Sequence, residues 1–295
     1  MRFLVLSDIY GETDIIKELV SKVKEKTDEK IVTIIAGDLG LYTGSGEKEY
    51  NINVNEILSS LSEISKHIFY VPGEYDIKKP LFNNPNVINI DKQHHVLEDN
   101  DVKIGFIGLG GAPKHSVRKD EQATYTWDER IEIVYEDLSK NLKITYEKVM
   151  LSKPDITILV THSPPYGIAD HSKPITLKEM LVLEELSDEI KEREETERKE
   201  VGKTPRHLGS RVISKFLGKY PVDIHIFGHI HKQGGRCPSI NKTKFVNVSH
   251  LSPSPYKLTG RKFLLVDITK TNIDFSFDSV VDKHLPFETF VETYL

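Results

Sequence analysis

Carboxylates and histidines in this chain fall at five places just beyond short apolar runs, a placement suited to a metal-dependent hydrolytic site. Asp8 follows the run 2–6 in LSDIY, Asp38 follows 31–36 in IIAGDLG, and Glu74 and Asp76 follow 68–71 in YVPGEYD. His162 follows 156–160 in LVTHSPP, and His229 and His231 follow 224–227 in IFGHIH. Oxygen and imidazole donors without thiolate suit manganese, iron or zinc. Asp38 could bridge two such ions, and a two-metal centre stabilises both the attacking and the leaving oxygen of an in-line displacement at phosphorus. Taken singly, each feature is ordinary: a histidine after a strand is more often a cap or a packing residue, and a Gly-Asp pair is commonly a turn in which Asp bonds its own backbone. Their repetition at successive strand ends is what chance turns do not produce.

The elements that must position these residues are legible from periodicity. Apolar runs at 2–6, 31–36, 68–71, 103–107, 156–160, 224–227, 245–248, 263–267 and 273–277 hardly alternate in the middle of the chain, as expected for strands covered on both faces. Ile16, Leu19, Val20 and Val23 share one helical face, with Thr13 or Asp14 available as N-cap, and further helices are predicted over about 53–66 and 127–150. Strands alternating with helices, then a strand-rich C-terminal third, indicate an α/β sandwich in one domain over 1–295 rather than two domains. In such a fold the C-terminal strand ends share an edge where ligands bind. Gly37, Gly73 and Gly228 lie beside the candidate ligands and allow sharp turns and close approach. The stretch 176–200 is almost unbroken charge with Leu183, Leu186 and Ile190 at helical spacing. It reads as a solvated helix within a charged helical insertion at about 170–205, with a lid or an oligomer contact as the other reading.

Composition narrows the class. The chain has 295 residues, 38% hydrophobic and 29% charged, which excludes a disordered tail, and no apolar stretch approaches the roughly 20 residues a membrane helix needs. Asp8 interrupts the N-terminal apolar run, so that run is read as a strand and not as a signal peptide. One cysteine, Cys237, forbids an internal disulfide or thiolate cluster and fits a cytoplasmic protein. A net charge of -5 argues against a DNA-coating protein, although 203–219 is locally basic.

The ordered set SDIY, GDLG, PGEYD, THSPP and GHIH resembles the calcineurin-like metallophosphoesterase superfamily, whose pattern is D-x-H, G-D, G-N-H-D/E, H and G-H-x-H. The match spans roughly residues 1 to 270, and HLGSRVISKFL resembles a G-S helix of small bacterial and archaeal members. The resemblance implies a four-layer α-β-β-α sandwich of two mixed β-sheets flanked by helices. It implies Asp8, Asp38 and His231 on a first metal, and Asp38, Glu74, His162 and His229 on a second.

Three residues depart from that pattern. Tyr10 stands for the first-motif histidine, Glu74 for the asparagine, and Tyr75 for the histidine that serves as general acid or phosphate contact. A neutral Tyr10 is a poor ligand unless a strong Lewis acid such as ferric iron binds its phenolate. Glu74 adds a carboxylate, so the second site should be the tighter and the centre less positive. Tyr75 can donate a hydrogen bond to a leaving group, but it is a weaker acid than imidazolium near neutrality.

The expected activity is hydrolysis of phosphomonoesters or phosphodiesters by metal-activated hydroxide, with one or two ions and weakened by these replacements. The alternatives are a catalytically degenerate binding scaffold on the same fold and, less favoured, a nuclease. Arg118 is a weak candidate for phosphate contact. Phosphate esters are the expected partners, nucleic acid is a less favoured one, a membrane is not expected, and oligomerisation would run through the 176–200 helix.

Overall fold

A computed structural model describes residues 1–42, 44–78, 80–99, 101–114, 125–171, 207–249, 251 and 261–280. Arg118, His115, the stretch 176–200 with any contact built on it, and the insertion beyond His171 lie outside the described residues. Two six-stranded mixed sheets carry the chain. The first is built from β1 (Arg2–Leu6), β2 (Ile31–Ala36), β3 (Ser65–Val71) and β4 (Val87–Asn89), together with β13 (Arg261–Ile268) and β14 (Ile273–Val280). Its order is β14-β13-β1-β2-β3-β4, with β1 to β4 parallel, β13 antiparallel to β1 and β14 antiparallel to β13.

The second sheet uses β5 (His94–Asp99), β6 (Val102–Leu109), β9 (Ile156–Thr161), β10 (Ile224–Phe227), β11 (Ser239–Ile240) and β12 (Thr243–Asn247). Its order is β11-β12-β10-β9-β6-β5, with β6, β9, β10 and β12 parallel and the two edges antiparallel. A two-stranded piece pairs β7 (Ala112–Pro113) with β8 (Thr126–Trp127).

Every residue of β2 and β9 is buried, because each of these strands has one face on helices and the other on the facing sheet. Between the sheets, Phe3, Val5, Val32, Ile34 and Phe69 meet Ile104, Phe106, Ile158, Val160 and Ile226. On the outer face of the first sheet lie α1 (Thr13–Lys26) and α2 (Glu47–Ser62), through Ile16, Leu19, Val20 and Val23 of α1 and Val54, Ile57, Leu58 and Leu61 of α2. On the outer face of the second lie α3 (Glu132–Leu151) and α4 (Arg211–Leu217), through Leu138, Leu142 and Val149 of α3 and Val212, Ile213 and Phe216 of α4. The layers are therefore helix, sheet, sheet, helix, as expected. Among the described residues no helix is long and apolar enough to cross a membrane.

Several boundaries differ from expectation. The second helix starts and ends earlier than 53–66, since Ser65 and Lys66 already belong to β3, where Ser65 pairs with Ile31. Trp127 lies in β8 rather than in the third helix, which begins at Glu132. Glu12 occupies the N-cap of α1 and makes no side-chain cap there, so neither Thr13 nor Asp14 caps it. His94 and His95 open an edge strand, β5.

Candidate metal centre

The loops leaving β1, β2, β9 and β10 are tied to one another by their backbones. Asp8 N donates to Gly37 O at 3.0 Å, Ile9 N and Tyr10 N donate to Asp38 O at 2.8 and 3.0 Å, and Gly228 N donates to His162 O at 2.9 Å. Asp8, Tyr10, Asp38 and His229 have φ of 56, 54, 52 and 71°, in the left-handed region that non-glycine residues rarely adopt. Such residues cost about 1–3 kcal/mol each and persist only where their surroundings over-determine them. Their concentration on three loops facing one centre marks it as a place where geometry overrides local preference. A Cβ at Gly37 would strike the His162 imidazole, and one at Gly228 would strike Ser7 Oγ and the Asp8 carboxylate. These two glycines let the loops close up.

Asp8, Asp38 and His162 are fully buried. His162 Nδ1 lies 2.8 Å from Ala36 O, a contact in which only the ring N–H can donate, so Nε2 is the atom turned toward the centre. Nε2 faces Asp38 Oδ2 at 3.3 Å, yet neither atom makes a hydrogen bond. Asp38 Oδ1 accepts the Tyr75 backbone N–H at 2.9 Å, leaving Oδ2 as its inward oxygen. Glu74 Oε2 lies 2.9 Å from His229 Nδ1. His231 Nε2 lies 3.1 Å from Asp8 Oδ1 and 3.0 Å from the Tyr10 hydroxyl, which is itself 3.4 Å from Asp8 Oδ1. The Tyr10 ring meets Tyr75 edge-on with centroids 5.6 Å apart.

The charges explain the titration. Burial disfavours an Asp8 carboxylate, but His231 and His162 outweigh it and hold Asp8 below the usual range. Burial is decisive at Asp38, raised to about 6 against the pull of His162, with Glu74 and Asp8 adding to the rise. Glu74 is desolvated too, but His229 draws it down to about 2. His162 is held at about 10, because Asp38, Asp8 and Glu74 together exceed its burial penalty. Tyr10 goes far above its ordinary value through burial and the charges of Asp38, Asp8 and Glu74, so its phenol stays neutral near pH 7. Three carboxylates in one buried place require positive charge close by.

A metal fits this donor set. The ligand atoms of Asp8, Asp38 and His162 lie within 4.8 Å of one another, and so do those of Glu74, His162 and His229. Asp38 Oδ2 and His162 Nε2 are buried without a hydrogen bond, and an ion with bonds of about 2.0–2.2 Å that displaced the His162 proton would take a lone pair from each. All six expected ligands therefore gather at one place. His162 adjoins both groups rather than the second alone, and His231 sits at the rim against Asp8 and Tyr10.

Sequence reasoning missed what Asp76 does. Fully buried, it accepts hydrogen bonds from Gly73 N at 2.8 Å, Gly40 N at 2.9 Å, Leu39 N at 3.3 Å and Tyr50 Oη at 2.6 Å. It welds the loops that carry Asp38 and Glu74. Its place in YVPGEYD was visible, but its burial was not.

A family model for calcineurin-like phosphoesterases matches residues 1–233. The chain belongs to that family. No curated relative matches it. One solved structure superposes on this calcineurin-like phosphoesterase with a TM-score of 0.58 at 14% identity, covering 93% of this chain and 98% of its own. TT1561 of Thermus thermophilus gives 0.54 at 12% identity, with 93% and 97% covered. The purple acid phosphatase of yellow lupin seeds gives 0.48 at 14% identity, with 95% and 51% covered. The first two likenesses show the shared fold.

Proposed function

We propose that this calcineurin-like phosphoesterase hydrolyses phosphomonoesters or phosphodiesters. Asp8, Asp38 and His231 would hold one ion, and Asp38, Glu74, His162 and His229 a second, drawn from manganese, iron or zinc. When bound, such ions supply Lewis acidity that lowers the pKa of water and offsets charge on phosphoryl oxygens. The observation carrying the reading is the buried, hydrogen-bond-free pair Asp38 Oδ2 and His162 Nε2 at the meeting of four strand ends.

The chain's own residues set the terms of the chemistry. The Ala36 carbonyl fixes the tautomer and direction of the His162 ring. Tyr10 stays a neutral phenol whose hydroxyl spans Asp8 and His231, so it contributes a dipole where an imidazole would contribute a ligand nitrogen. Glu74 brings the carboxylate count to three, which weakens the pull on a phosphate dianion and slows turnover. Tyr75, whose ring meets Tyr10 edge-on, would hydrogen-bond a leaving oxygen, so esters of acidic alcohols should react best. The protein is read as a cytoplasmic enzyme, in keeping with its single cysteine.

The test compares manganese-loaded protein with the double variant Asp38→Asn, His229→Ala on p-nitrophenyl phosphate and bis(p-nitrophenyl) phosphate. Loss of several kcal/mol of transition-state stabilisation predicts a fall of about a thousandfold or more. Equal rates in the two proteins would overturn the enzymatic reading and favour a binding scaffold.

A further inference from the structure

A second group of carboxylate and imidazole donors lies outside the centre described above and shares no residue with it: Asp170, His171 and His207, whose ligand atoms all fall within 4.8 Å of one another. Asp170 is fully buried. Its two oxygens have different surroundings. Oδ2 accepts the backbone N–H groups of Gly167 at 3.0 Å and Gly209 at 3.2 Å. His207 Nδ1 bridges both oxygens, at 2.9 Å from Oδ1 and 3.1 Å from Oδ2, and His171 Nε2 lies 4.0 Å from Oδ1. The two backbone amides thus hold Oδ2, while Oδ1 carries no backbone bond and faces both imidazoles. That is the arrangement of a monodentate metal-binding carboxylate held by outer hydrogen bonds.

The rings of His171 and His207 are 4.0 Å apart, centroid to centroid, and each side chain is no more than 14% exposed. Two imidazoles this close, both against one buried carboxylate, either share protons or share a cation. The backbone holds them in place whichever is present: His171 and His207 form an antiparallel bridge, and Leu208 N donates to Asp170 O at 2.9 Å.

We propose that Asp170, His171 and His207 form a metal site of their own, a structural clip for one zinc or similar divalent ion, apart from the phosphoesterase centre. Two histidines and one carboxylate are a donor set zinc accepts, with bonds of about 2.0–2.2 Å and a fourth position for water. The ion joins two points of the chain, His171 and His207, that are distant in sequence, and such a cross-link stabilises by restricting the unfolded chain. It also bears on the catalytic loops. Gln233 donates from Nε2 to His171 O at 3.3 Å, and Gln233 ends the short 3-10 turn that His231 begins. Occupation of the clip should therefore steady the turn that presents His231.

The experiment uses chelator-stripped full-length protein reloaded with Zn²⁺ or Co²⁺ and counts bound metal by mass spectrometry. The background is the triple variant Asp38→Asn, His162→Gln, His229→Gln, which removes the phosphoesterase centre. That protein should retain one equivalent, its Co²⁺ form should show the visible bands of a low-coordinate nitrogen and oxygen site, and Zn²⁺ should raise its melting temperature. Adding His171→Ala should abolish all three. In the otherwise unaltered protein, His171→Ala should lower the metal count by one equivalent and leave circular dichroism unchanged. His171 is chosen because Asp170 anchors two backbone amides and its replacement risks the fold. A triple variant that binds no metal, or an unaltered metal count in His171→Ala, overturns the proposal. A phosphoesterase centre that takes no metal would instead leave the triple variant with the same count as the parent.

Discussion

The two ends of β1, β2 and β3 handle charge in opposite ways. At the N-terminal end, Arg2 makes a forked pair with Asp267, at 2.8 and 2.9 Å, and the two side chains stay 38% and 46% exposed. Lys66 at the start of β3 pairs with Asp99 in the same manner. Each charge there has its own partner and access to water. At the C-terminal end, Asp8 and Asp38, together with His162 from the loop after β9, are buried completely, and Asp38 Oδ2 and His162 Nε2 have no hydrogen bond. Exposed pairs contribute about 0–1 kcal/mol, whereas uncompensated buried charge costs several. A fold gains little by concentrating carboxylates in its interior. The end that bears this cost is the end where the candidate metal ligands gather.

The sharpest break in that comparison is Gly37→Ala. The new methyl would meet the His162 ring at a residue whose φ is 91°, so strain and overpacking together should destabilise the protein by about 2–5 kcal/mol and lower metal affinity with it. Denaturant unfolding, followed by metal titration, measures both. A loss below about 1 kcal/mol would mean the centre is far more pliant than its strained loops imply.

A second test separates carboxylate effects from burial alone. His225 on β10 is as buried as His162, yet it lies against Thr161 Oγ1 at 2.8 Å instead of a carboxylate, and desolvation lowers it to about 3. The native state then binds fewer protons at this residue than the unfolded state between pH 6.5 and about 3. Its contribution is fully present above pH 6.5 and is lost as pH falls through that window, by about 1.4 kcal/mol per pH unit. His225→Phe should flatten the acid limb of a stability profile over that range. An unchanged slope would show that acid lability resides in the carboxylate centre.

The smallest effect is expected at the other pole. Arg2→Ala should cost no more than about 1 kcal/mol in thermal unfolding, since its exposed partner is readily resolvated by water. A loss comparable to that of Gly37→Ala would erase the contrast between the two ends.

What the sequence made legible follows from the same physics. Strands β1, β2, β9 and β10 are short continuous apolar runs because both faces are covered, and that pattern survives without any knowledge of partners. The six candidate ligands could be read because each directly follows such a run. Strands β4, β7, β8 and β11 were not read. They have two or three residues each, too few for any period to register. The roles of Asp76 and of Asp170 with His207 also escaped, for a different reason. Each takes its meaning from contacts made across the fold, such as Tyr50 with Asp76, and single-chain patterning carries no trace of them.

The pairing of β1 with β13 has a kinetic consequence. Arg2 stands opposite Asp267 and Val5 opposite Leu264, so an interior strand of the first sheet has one neighbour that is far from it in sequence. During synthesis β1 emerges well before β13, with Phe3, Leu4 and Val5 ready to bury, and that flank stays unpaired until β13 has left the ribosome. Contacts of such long sequence separation slow folding and leave a sticky strand edge exposed in the interval. Truncation just before β13 should therefore yield an aggregating chain instead of a smaller folded one, even though every candidate ligand of the phosphoesterase centre would still be present.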